Sequence, residues 1–525
     1  MNISFDFLYK TPVERLLFLG SFLYLGLLWT HPIYILDESM FTEAAREMLI
    51  SGNWWIPHFN GELFVDKPPL QYYFMLLGFK IFGVNAFGAR FFSGLIGLVL
   101  LVETYRFCKL FLSENIAKTT LLILMSSFFF VQQFQLAVPD PYLISFCCFG
   151  LFSFYRYYQN RNYRDIILCY FFLGIGVLAK GPVAMALPGI SIGLFLIQQK
   201  KIKQVLSFYP FLGCIGIILI AFPWFWKVHE STNGEWTRGF IMTHNVGRFT
   251  NVMEGHGGPF VLTIGYVLLG LLPFSFFLPQ AFIQLRNKKH QLLHFAAIVV
   301  ITFILFFGFS ATKLPNYTMP CYPFLAILIA YYFEKGHSVF EKKYFRWNLS
   351  FLSILYLVLP FVAFIGFNQD DNLKSLSYLA ITFLPSTLWI LSGIIRAWKA
   401  KIRTIVPYFV FAGWSTQILL FGWAYPKINE TNPVTTVKNM VGQDAKIVVY
   451  QRMDRAFPFN FQRIFPVVKN LSQLDDFLSR NPSFYVLTNS RNTDVLDMHP
   501  QLVKIHHKKS PFEYHITKLY KQKNN

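Results

Sequence analysis

The sequence predicts a mostly α-helical protein that crosses a membrane about 13 times and ends in a small α/β domain. Two observations support this fold class. Hydrophobic residues make up 54% of the 525 residues and charged residues only 14%, whereas soluble proteins have about 25% charged residues. Apolar runs of about 20 residues, the length that spans a bilayer, recur up to Tyr425 and then stop. We therefore divide the chain into a transmembrane domain, residues 1–425, and a soluble domain, residues 426–525.

Short polar connections separate the apolar windows that could each cross a bilayer. The windows lie near 16–36, 89–108, 117–136, 142–158, 166–179, 183–199, 205–226, 260–283, 292–312, 317–333, 349–367, 375–395 and 405–425. No small-residue cleavage site follows the first window, which predicts an uncleaved first span. Residues 70–83 include Lys80 and two tyrosines, so they fit either an interfacial helix or the beginning of the second span.

Basic residues concentrate in alternate connections, as at Lys200, Lys201 and Lys203. Cytoplasmic loops of membrane proteins carry the excess of Lys and Arg, so these connections are predicted to be cytoplasmic. The outer side then holds the two longest loops, 37–88 and 227–259, and the C-terminal domain. The net charge of +20 is spread over short clusters between apolar runs, and a nucleic-acid partner is therefore not expected.

The C-terminal domain alternates strand-like and helical patterns, which is typical of an α/β fold. The strand-like runs are Lys446–Tyr450, Ile464–Val468, Phe484–Thr488, Leu502–His506 and Phe512–Tyr520, and a helical pattern covers Leu471–Arg480. The domain has no Gly-rich phosphate loop and no catalytic triad, and we expect no nucleotide cofactor.

The unusual polar residues of the transmembrane domain all fall on the predicted outer side. They are Asp37, Glu38, Asp66, Lys67, Asp140, Lys180, His244, Arg248, His256, Lys313 and Tyr317. Ionisable groups at a membrane are costly unless they face water, a metal ion or a counter-ion. Because separate loops keep such groups at the same level, we predict one shared external cavity that forms a functional site.

Asp37 and Glu38 directly follow the first apolar window. A carboxylate at this place can act as a base or stabilise positive charge that develops on a sugar ring. Alternatively, Asp37 caps an amphipathic helix that covers residues 41–49 and lies along the membrane surface. Both interpretations can hold together. Asp140, which lies between two prolines, is explained as well by turn formation as by a site.

Four basic residues on the outer side could bind a phosphate group. Lys67 precedes two prolines, which hold the backbone rigid. Lys180, Arg248 and Lys313 supply further positive charge, and Tyr317 can donate a hydrogen bond. Each lysine alone could instead extend to lipid headgroups. Together, four cations on the side that the positive-inside rule disfavours indicate a function.

Asp66 with His244 or His256 could hold a divalent metal ion such as Zn²⁺ or Mg²⁺. No regular ligand spacing connects these residues in the sequence. Ordinary loop histidines explain them as well, and the metal ion is one of two open interpretations.

Several motifs of the chain resemble those of one enzyme family. They are the acid pair DE with EAAREML, SGNWWIPHFNGELFVDKPPL, LAVPD, GVLAKGPV, HNVGRF with GHGGPF, and TKLPNYTMP, within residues 15–330. The chain resembles the polytopic GT-C glycosyltransferases of the protein-mannosyltransferase type, in particular the bacterial aminoarabinose transferases that modify lipid A. The resemblance implies an enzyme of the bacterial inner membrane, with its active site and C-terminus facing the periplasm. Such an enzyme moves a sugar from a polyprenyl phosphate to a lipid, glycan or protein acceptor.

The resemblance also implies roles for individual residues. Asp37 would be the catalytic carboxylate and Asp140 its partner, with Glu38 beside them. The residues implied in binding the carrier phosphate are Lys67, Lys180, Arg248 and Tyr317, and those implied at a metal position are Asp66 and either His244 or His256. Two residues depart from the family pattern. Met40 stands where these transferases usually have Arg, and Asp66 stands where they usually have Glu, so the sugar and the acceptor stay open.

A transporter or flippase of a lipid-linked sugar is the main alternative, since it would also need a charged cavity among many spans. Transporters tend to contain inverted repeats and charged residues near the middle of the bilayer. The sequence shows no internal repeat, and its ionisable residues collect on one side. A purely structural subunit would leave this one-sided collection unexplained.

Overall fold

The computed structural model describes residues 7–205, 208–253, 255–287, 290–335, 339–397, 402–481, 483–491, 494–511 and 515–523. The fold is mostly helical, as predicted. The longer α-helices are Val13–Leu25, Leu36–Ser51, Leu70–Phe82, Ala86–Phe111, Glu114–Ser126, Asp140–Asn160, Tyr163–Lys180, Val183–Gln198, Phe208–Ser231, Phe260–Gly270, Gln291–Phe309, Tyr322–Lys335, Val339–Gln369, Leu384–Ala397, Val406–Leu419, Pro433–Val441 and Leu471–Arg480.

Shorter helical segments connect these elements. The short α-helices are Phe7–Lys10, Phe128–Phe134, Ile202–Val205, Glu235–Arg238, Arg248–Thr250, Leu278–Ile283, Tyr425–Glu430, Phe457–Phe461 and Asp494–Asp497. The 3₁₀ segments are Phe274–Phe277, Gln284–Asn287, Met319–Cys321, Lys374–Phe383 and Ile402–Ile405, and the π-helical segments are Gly239–Gly247 and Leu420–Ala424.

The described residues contain five helices that are long and apolar enough to cross a membrane, or up to seven spans if each of two bent pairs counts once. One bent pair replaces the continuous window predicted at 117–136. There Glu114–Ser126 and Phe128–Phe134 meet at 72°. Ser127 Oγ donates to the Ile123 carbonyl at 2.7 Å, and such back-bonding by serine bends helices. The apolar window predicted as one span therefore contains two short helices.

The Leu36–Ser51 helix, which we call the acidic helix, is packed inside the protein. Asp37 and Glu38 lie in its first turn, and the residue before the helix, Ile35, makes no side-chain cap. The prediction that Asp37 is the cap is therefore wrong by two positions. Acids in the first turn still interact favourably with the helix dipole. Phe41 and Met48 are buried, so the apolar face of this helix packs against protein, and its position along the membrane surface stays a prediction.

After residue 425 the chain forms a five-stranded sheet, which with its helices we call the C-terminal region (residues 433–523). A separate two-stranded ribbon, His58–Phe59 and Glu62–Leu63, lies in the first outer loop. The strands of the five-stranded sheet, in spatial order, are Val467–Val468, Ile447–Tyr450, Tyr485–Thr488, Ile516–Gln522 and Leu502–Lys509. The first three are mutually parallel, and Ile516–Gln522 runs antiparallel to both of its neighbours. Part of the predicted strand Phe512–Tyr520 lies outside the described residues.

Hydrogen bonds attach the C-terminal region to the acidic helix and to the loop that follows it. Arg46 donates to the Gln462 carbonyl at 3.1 Å. Asn60 bonds Phe465 in both directions, donating to its carbonyl at 3.0 Å and accepting from its N–H at 2.8 Å. The C-terminal region is therefore fixed to the acidic helix and to the loop after it.

Candidate active site

Two adjoining cavities meet at the beginning of the acidic helix, and the outer one also reaches the C-terminal region. The outer cavity has a volume of about 1710 Å³ and the inner pocket about 90 Å³. Ile35, Asp37 and Leu314 line both of them. Because the acidic helix begins at this junction, its half-buried Asp37 carboxylate stands where a molecule in the outer cavity would meet one in the inner pocket.

The inner pocket collects most of the residues that the sequence assigned to a site. Its predicted members are Asp37, Asp66, Lys67, Asp140, Lys180, Arg248 and Tyr317. They come from five separate parts of the chain. The structure therefore brings these loops together around one pocket.

Asp66 holds one side of the pocket together. Its carboxylate accepts a short hydrogen bond from Lys67 and lies 2.8 Å from Nδ1 of His244. Burial alone would raise the pKa of Asp66, but Lys67, His244 and Arg248 hold it well below its ordinary value. The pKa of Lys67 is lowered by burial and by the nearby cations Arg248 and Lys180. The pocket therefore brings three cations, Lys67, Lys180 and Arg248, close enough to repel one another, and it balances them with the carboxylates Asp37, Asp66 and Asp140.

Asp140 and Lys180 form the opposite side. Asp140 begins the Asp140–Asn160 helix and Lys180 ends the Tyr163–Lys180 helix, and the ammonium group lies 2.5 Å from the carboxylate. Lys180 also lies 5.0 Å from the centre of the Tyr317 ring. The hydroxyl of Tyr317 accepts a hydrogen bond from Arg248 at 3.1 Å. These residues form a continuous chain of polar contacts around the pocket.

Gly181 explains how the chain can turn back beside Lys180. Its φ angle is +89°, a conformation that residues with a side chain rarely adopt. A Cβ atom there would lie 2.7 Å from the ring of Phe240. Phe240 belongs to the π-helical segment Gly239–Gly247, which carries His244, and π-helical turns occur frequently at functional sites. A glycine thus allows the segment with His244 to approach the helix end with Lys180.

Backbone hydrogen bonds bring Arg248 next to Tyr317. The Thr312 N–H donates to the Arg248 carbonyl at 3.2 Å, and the Lys313 N–H donates to the His256 carbonyl at 2.8 Å. The loop after the π-helical segment is therefore bound along the loop before Tyr317. The two sequence motifs that contain these residues form one structural unit.

Three predicted site residues lie elsewhere. The Lys313 side chain is buried and donates to the Ser310 carbonyl at 2.5 Å, so its ammonium group is directed at its own loop and away from the pocket. His256 is exposed and lines the outer cavity. Glu38 is fully buried and bonded to Arg90. Their positions argue against a phosphate role for Lys313, a metal role for His256 beside Asp66, and a direct chemical role for Glu38.

Glu38 connects four segments through Arg90. The two side chains make two hydrogen bonds of 2.7 Å, and Glu38 also accepts from the Ala137 N–H at 2.8 Å. Arg90 in turn donates to the carbonyls of Leu28 and His31 at 2.9 Å. This pair fixes the beginning of the acidic helix relative to the turn before Asp140. Arg90 gives no signal in the sequence because it falls inside an apolar window.

The metal position is incomplete among the described residues. Asp66 and His244 supply two possible ligands, and no cluster of three His, Cys, Asp or Glu side chains is found in the described part of the chain. Structural and catalytic Zn²⁺ sites use at least three protein ligands, and Lys67 already occupies the Asp66 carboxylate. Asp66 and His244 alone therefore do not complete a Zn²⁺ site.

Two glutamines at the end of the bent helix were also missed. Gln133 lines the inner pocket and Gln132 the outer cavity. They lie on both sides of the junction at which Asp37 stands. A pair of glutamines is unusual within an apolar window, so the sequence marks these two residues. Only the bend at Ser127, which the sequence did not predict, brings their side chains to the site.

The sequence is similar to one protein family and to several individual proteins. Residues 66–226 match the family described as dolichyl-phosphate-mannose-protein mannosyltransferase. An uncharacterised protein of Aquifex aeolicus is 30% identical over 344 residues, which cover 65% of this chain and 68% of the relative. An undecaprenyl phosphate-alpha-4-amino-4-deoxy-L-arabinose arabinosyl transferase of Pseudomonas fluorescens is 28% identical over 401 residues, covering 73% of this chain and 71% of that protein.

The fold is also that of a solved structure. The crystal structure of ArnT from Cupriavidus metallidurans bound to undecaprenyl phosphate matches with a TM-score of 0.80 and 17% identity, over 97% of each chain. The class defined by fold and site is a multi-pass membrane glycosyltransferase. The chain belongs to the GT-C glycosyltransferases of the protein-mannosyltransferase type, and among them it resembles the bacterial aminoarabinose transferases of lipid A.

Proposed function

We propose that the protein transfers a sugar from a polyprenyl phosphate, such as undecaprenyl phosphate, to an acceptor that enters the outer cavity. One observation carries the proposal: Lys67, Lys180 and Arg248 line the same small pocket, and Asp37 stands at its opening. The relatives named as undecaprenyl phosphate-dependent transferases support this donor class.

The charges of the inner pocket suit the phosphate of such a donor. Asp66 and Asp140 are each paired with one lysine, so they hold the ammonium groups in place and neutralise part of their charge. Arg248 contacts the neutral hydroxyl of Tyr317. Its planar guanidinium matches the oxygens of a phosphate. An incoming phosphate would also relieve the repulsion that lowers the pKa of Lys67.

In the reaction, the bond between the sugar carbon and the phosphate oxygen breaks, and the electron pair leaves with the phosphate. Cations that meet this growing negative charge stabilise the transition state. An acceptor oxygen forms the new bond to the sugar carbon. If that oxygen belongs to a hydroxyl group, Asp37 accepts its proton. If it belongs to a phosphate, no strong base is needed, and Asp37 then orients the acceptor and stabilises charge on the sugar.

We further propose about 13 spans, with the cavities and the C-terminal region on the periplasmic side of the bacterial inner membrane. The distribution of basic connections supports this orientation. It places the acceptor among lipids, glycans or proteins of the outer compartment. A transporter of the lipid-linked sugar is the second candidate, but it does not explain why a carboxylate stands at the junction of two cavities.

The experiment compares bacterial cells that carry the wild-type gene, the Asp37→Asn variant or no gene. Mass spectrometry of lipids, glycans and proteins is expected to find an acceptor heavier by one sugar in wild-type cells alone. The variant should insert and accumulate normally, since the change preserves shape. A modified acceptor at wild-type level in the variant would contradict the role of Asp37, and movement of the donor without any modified acceptor would favour transport.

A further inference from the structure

The roof of the outer cavity carries three arginines of the C-terminal region. Arg452 and Arg455 follow the strand Ile447–Tyr450, and Arg491 follows the strand Tyr485–Thr488. All three line the outer cavity, which Asp37 also lines. Arg452 and Arg491 are exposed, so their guanidinium groups are available to a molecule in the cavity.

The topology of the sheet explains why these residues meet. The two strands are neighbours and parallel, so their carboxyl ends lie at the same edge. The chain leaves the first strand towards Val467–Val468 on one side and returns to Tyr485–Thr488 on the other. Connections that leave in opposite directions open a crevice at the carboxyl ends of the strands, where α/β sheets commonly bind ligands.

The loops of this crevice are bound to each other. The Asn489 N–H donates to the Arg452 carbonyl at 3.0 Å, and Ser490 Oγ donates to Gln451 Oε1 at 2.8 Å. Gln451 adopts a φ of +62°, a left-handed conformation that is uncommon for residues with a side chain and that occurs at functional sites. The two loops that carry the arginines therefore hold each other in place at this edge of the sheet.

Arg455 extends the crevice towards the catalytic junction. One of its terminal nitrogens lies 2.7 Å from Sδ of Met40, and Met40 follows Asp37 by one turn of the acidic helix. Asp454, the nearest carboxylate in sequence, is buried and accepts from the Ala456 N–H at 3.0 Å. The three arginines thus line the same cavity as the carboxylates Asp37 and Glu62.

We propose that this crevice is the acceptor subsite and that Arg452, Arg455 and Arg491 bind an anionic group of the acceptor, a phosphate or a carboxylate. Arginine presents parallel N–H donors that match the oxygens of both groups. The inference rests on the proposed function, because it assigns the outer cavity to the acceptor. Asp37 then has an anion site on each side: the carrier phosphate in the inner pocket and the acceptor's anion under the sheet.

The test measures binding of simple anionic lipids to the full-length protein in detergent micelles. The probes are phosphatidic acid, palmitate, uncharged diacylglycerol and inorganic phosphate. Wild type is compared with Arg452→Gln, Arg455→Gln, Arg491→Gln, the triple variant, and Arg480→Gln, an exposed arginine of the same region that pairs with Asp476. Loss of one hydrogen-bonded charge should weaken binding of the anionic probe about 10-fold. Arg480→Gln should bind as wild type does.

The pattern across probes identifies the source of the anion. Preference for phosphatidic acid or palmitate over inorganic phosphate assigns the subsite to a lipid-linked group, and full competition by inorganic phosphate assigns it to a soluble one. Equal binding of phosphatidic acid by wild type and the triple variant would overturn the proposal, as would equal binding of diacylglycerol and phosphatidic acid by wild type. A thermal midpoint equal to wild type shows that each variant is folded.

Undecaprenyl phosphate, measured on the same samples, separates this inference from the proposed function. We expect Lys67→Met to weaken undecaprenyl phosphate binding and to leave phosphatidic acid binding unchanged, and the triple arginine variant to do the reverse. If Lys67→Met leaves undecaprenyl phosphate binding intact, the proposed donor site fails while the arginine subsite stands. Loss of both ligands in the triple variant would refute a separate acceptor subsite.

Discussion

Replacement of Arg90 by methionine tests whether Glu38 anchors the active site or takes part in the chemistry. The guanidinium makes two bonds of 2.7 Å to Glu38 and further bonds to two carbonyl groups in the turn after the helix Val13–Leu25. Both side chains of the pair are 0% exposed. Removal of one partner of a buried ion pair leaves the other charge uncompensated, which costs about 3–5 kcal/mol.

A second variant separates this cost from other effects of the substitution. Glu38→Gln with Arg90→Met removes both charges, while the Gln oxygen can still accept from the Ala137 N–H, which now bonds Glu38 at 2.8 Å. Coupling between residues in contact is about 0.5–3 kcal/mol. We therefore expect the double variant to be more stable than Arg90→Met alone by about 1–3 kcal/mol.

The assay is thermal or denaturant unfolding in detergent, followed by sugar transfer by the fraction that stays folded. Equal destabilisation of the single and double variants would refute the coupling of Glu38 and Arg90. A Glu38→Gln single variant with wild-type stability and no transfer would show that Glu38 acts in the chemistry, against its buried position. We expect instead a loss of stability, with residual transfer by the folded fraction.

The remaining predictions concern the pocket, the sugar and pH. Lys67→Met should raise the donor concentration needed for half-maximal transfer about 10- to 100-fold, since a hydrogen bond to a charged group contributes about 1.5–3 kcal/mol; Lys80→Met, an exposed lysine over Trp54, should leave it unchanged. Gln133→Leu should lower transfer at saturating donor more than Gln132→Leu, because only Gln133 lines the inner pocket; equal effects would argue against contact with the sugar. Burial raises the pKa of Glu43 from 4.5 to about 7, although Arg46 opposes the shift. Its stabilising contribution is therefore complete below pH 4.5 and is lost as pH rises through about 7, so the thermal midpoint should fall over that interval in wild type and less in Glu43→Gln. A parallel fall in both would contradict the assignment.

The membrane class and the collection of polar residues could be predicted because both follow from composition and from the order of apolar runs. The helix Leu471–Arg480 has the predicted bounds, since its amphipathic pattern is local. The sequence predicts that Asp140 and Lys180 lie near each other, but it does not predict their ion pair. That pair depends on how the ends of two helices meet. Arg90 could not be found at all. An arginine inside an apolar window carries no signal of its partner, which is 52 residues away.

The misplaced residues have a common cause. Lys313 and His256 were predicted as site residues from their charge and from the predicted outer position of their loops. Their side-chain directions depend on a loop in which the Lys313 ammonium finds the Ser310 carbonyl. Sequence patterns specify on which side a loop lies more reliably than they specify which of its side chains enters a pocket.

The arrangement of the two cavities affects how such an enzyme can change during evolution. The inner pocket is built by helix ends and short loops of the membrane part, whereas the roof of the outer cavity comes from loops after two parallel strands. Substitutions in those loops, around residues 451–455 and 489–491, leave the membrane helices untouched. A lineage could therefore acquire a new acceptor by altering a few roof residues while it keeps its carrier lipid.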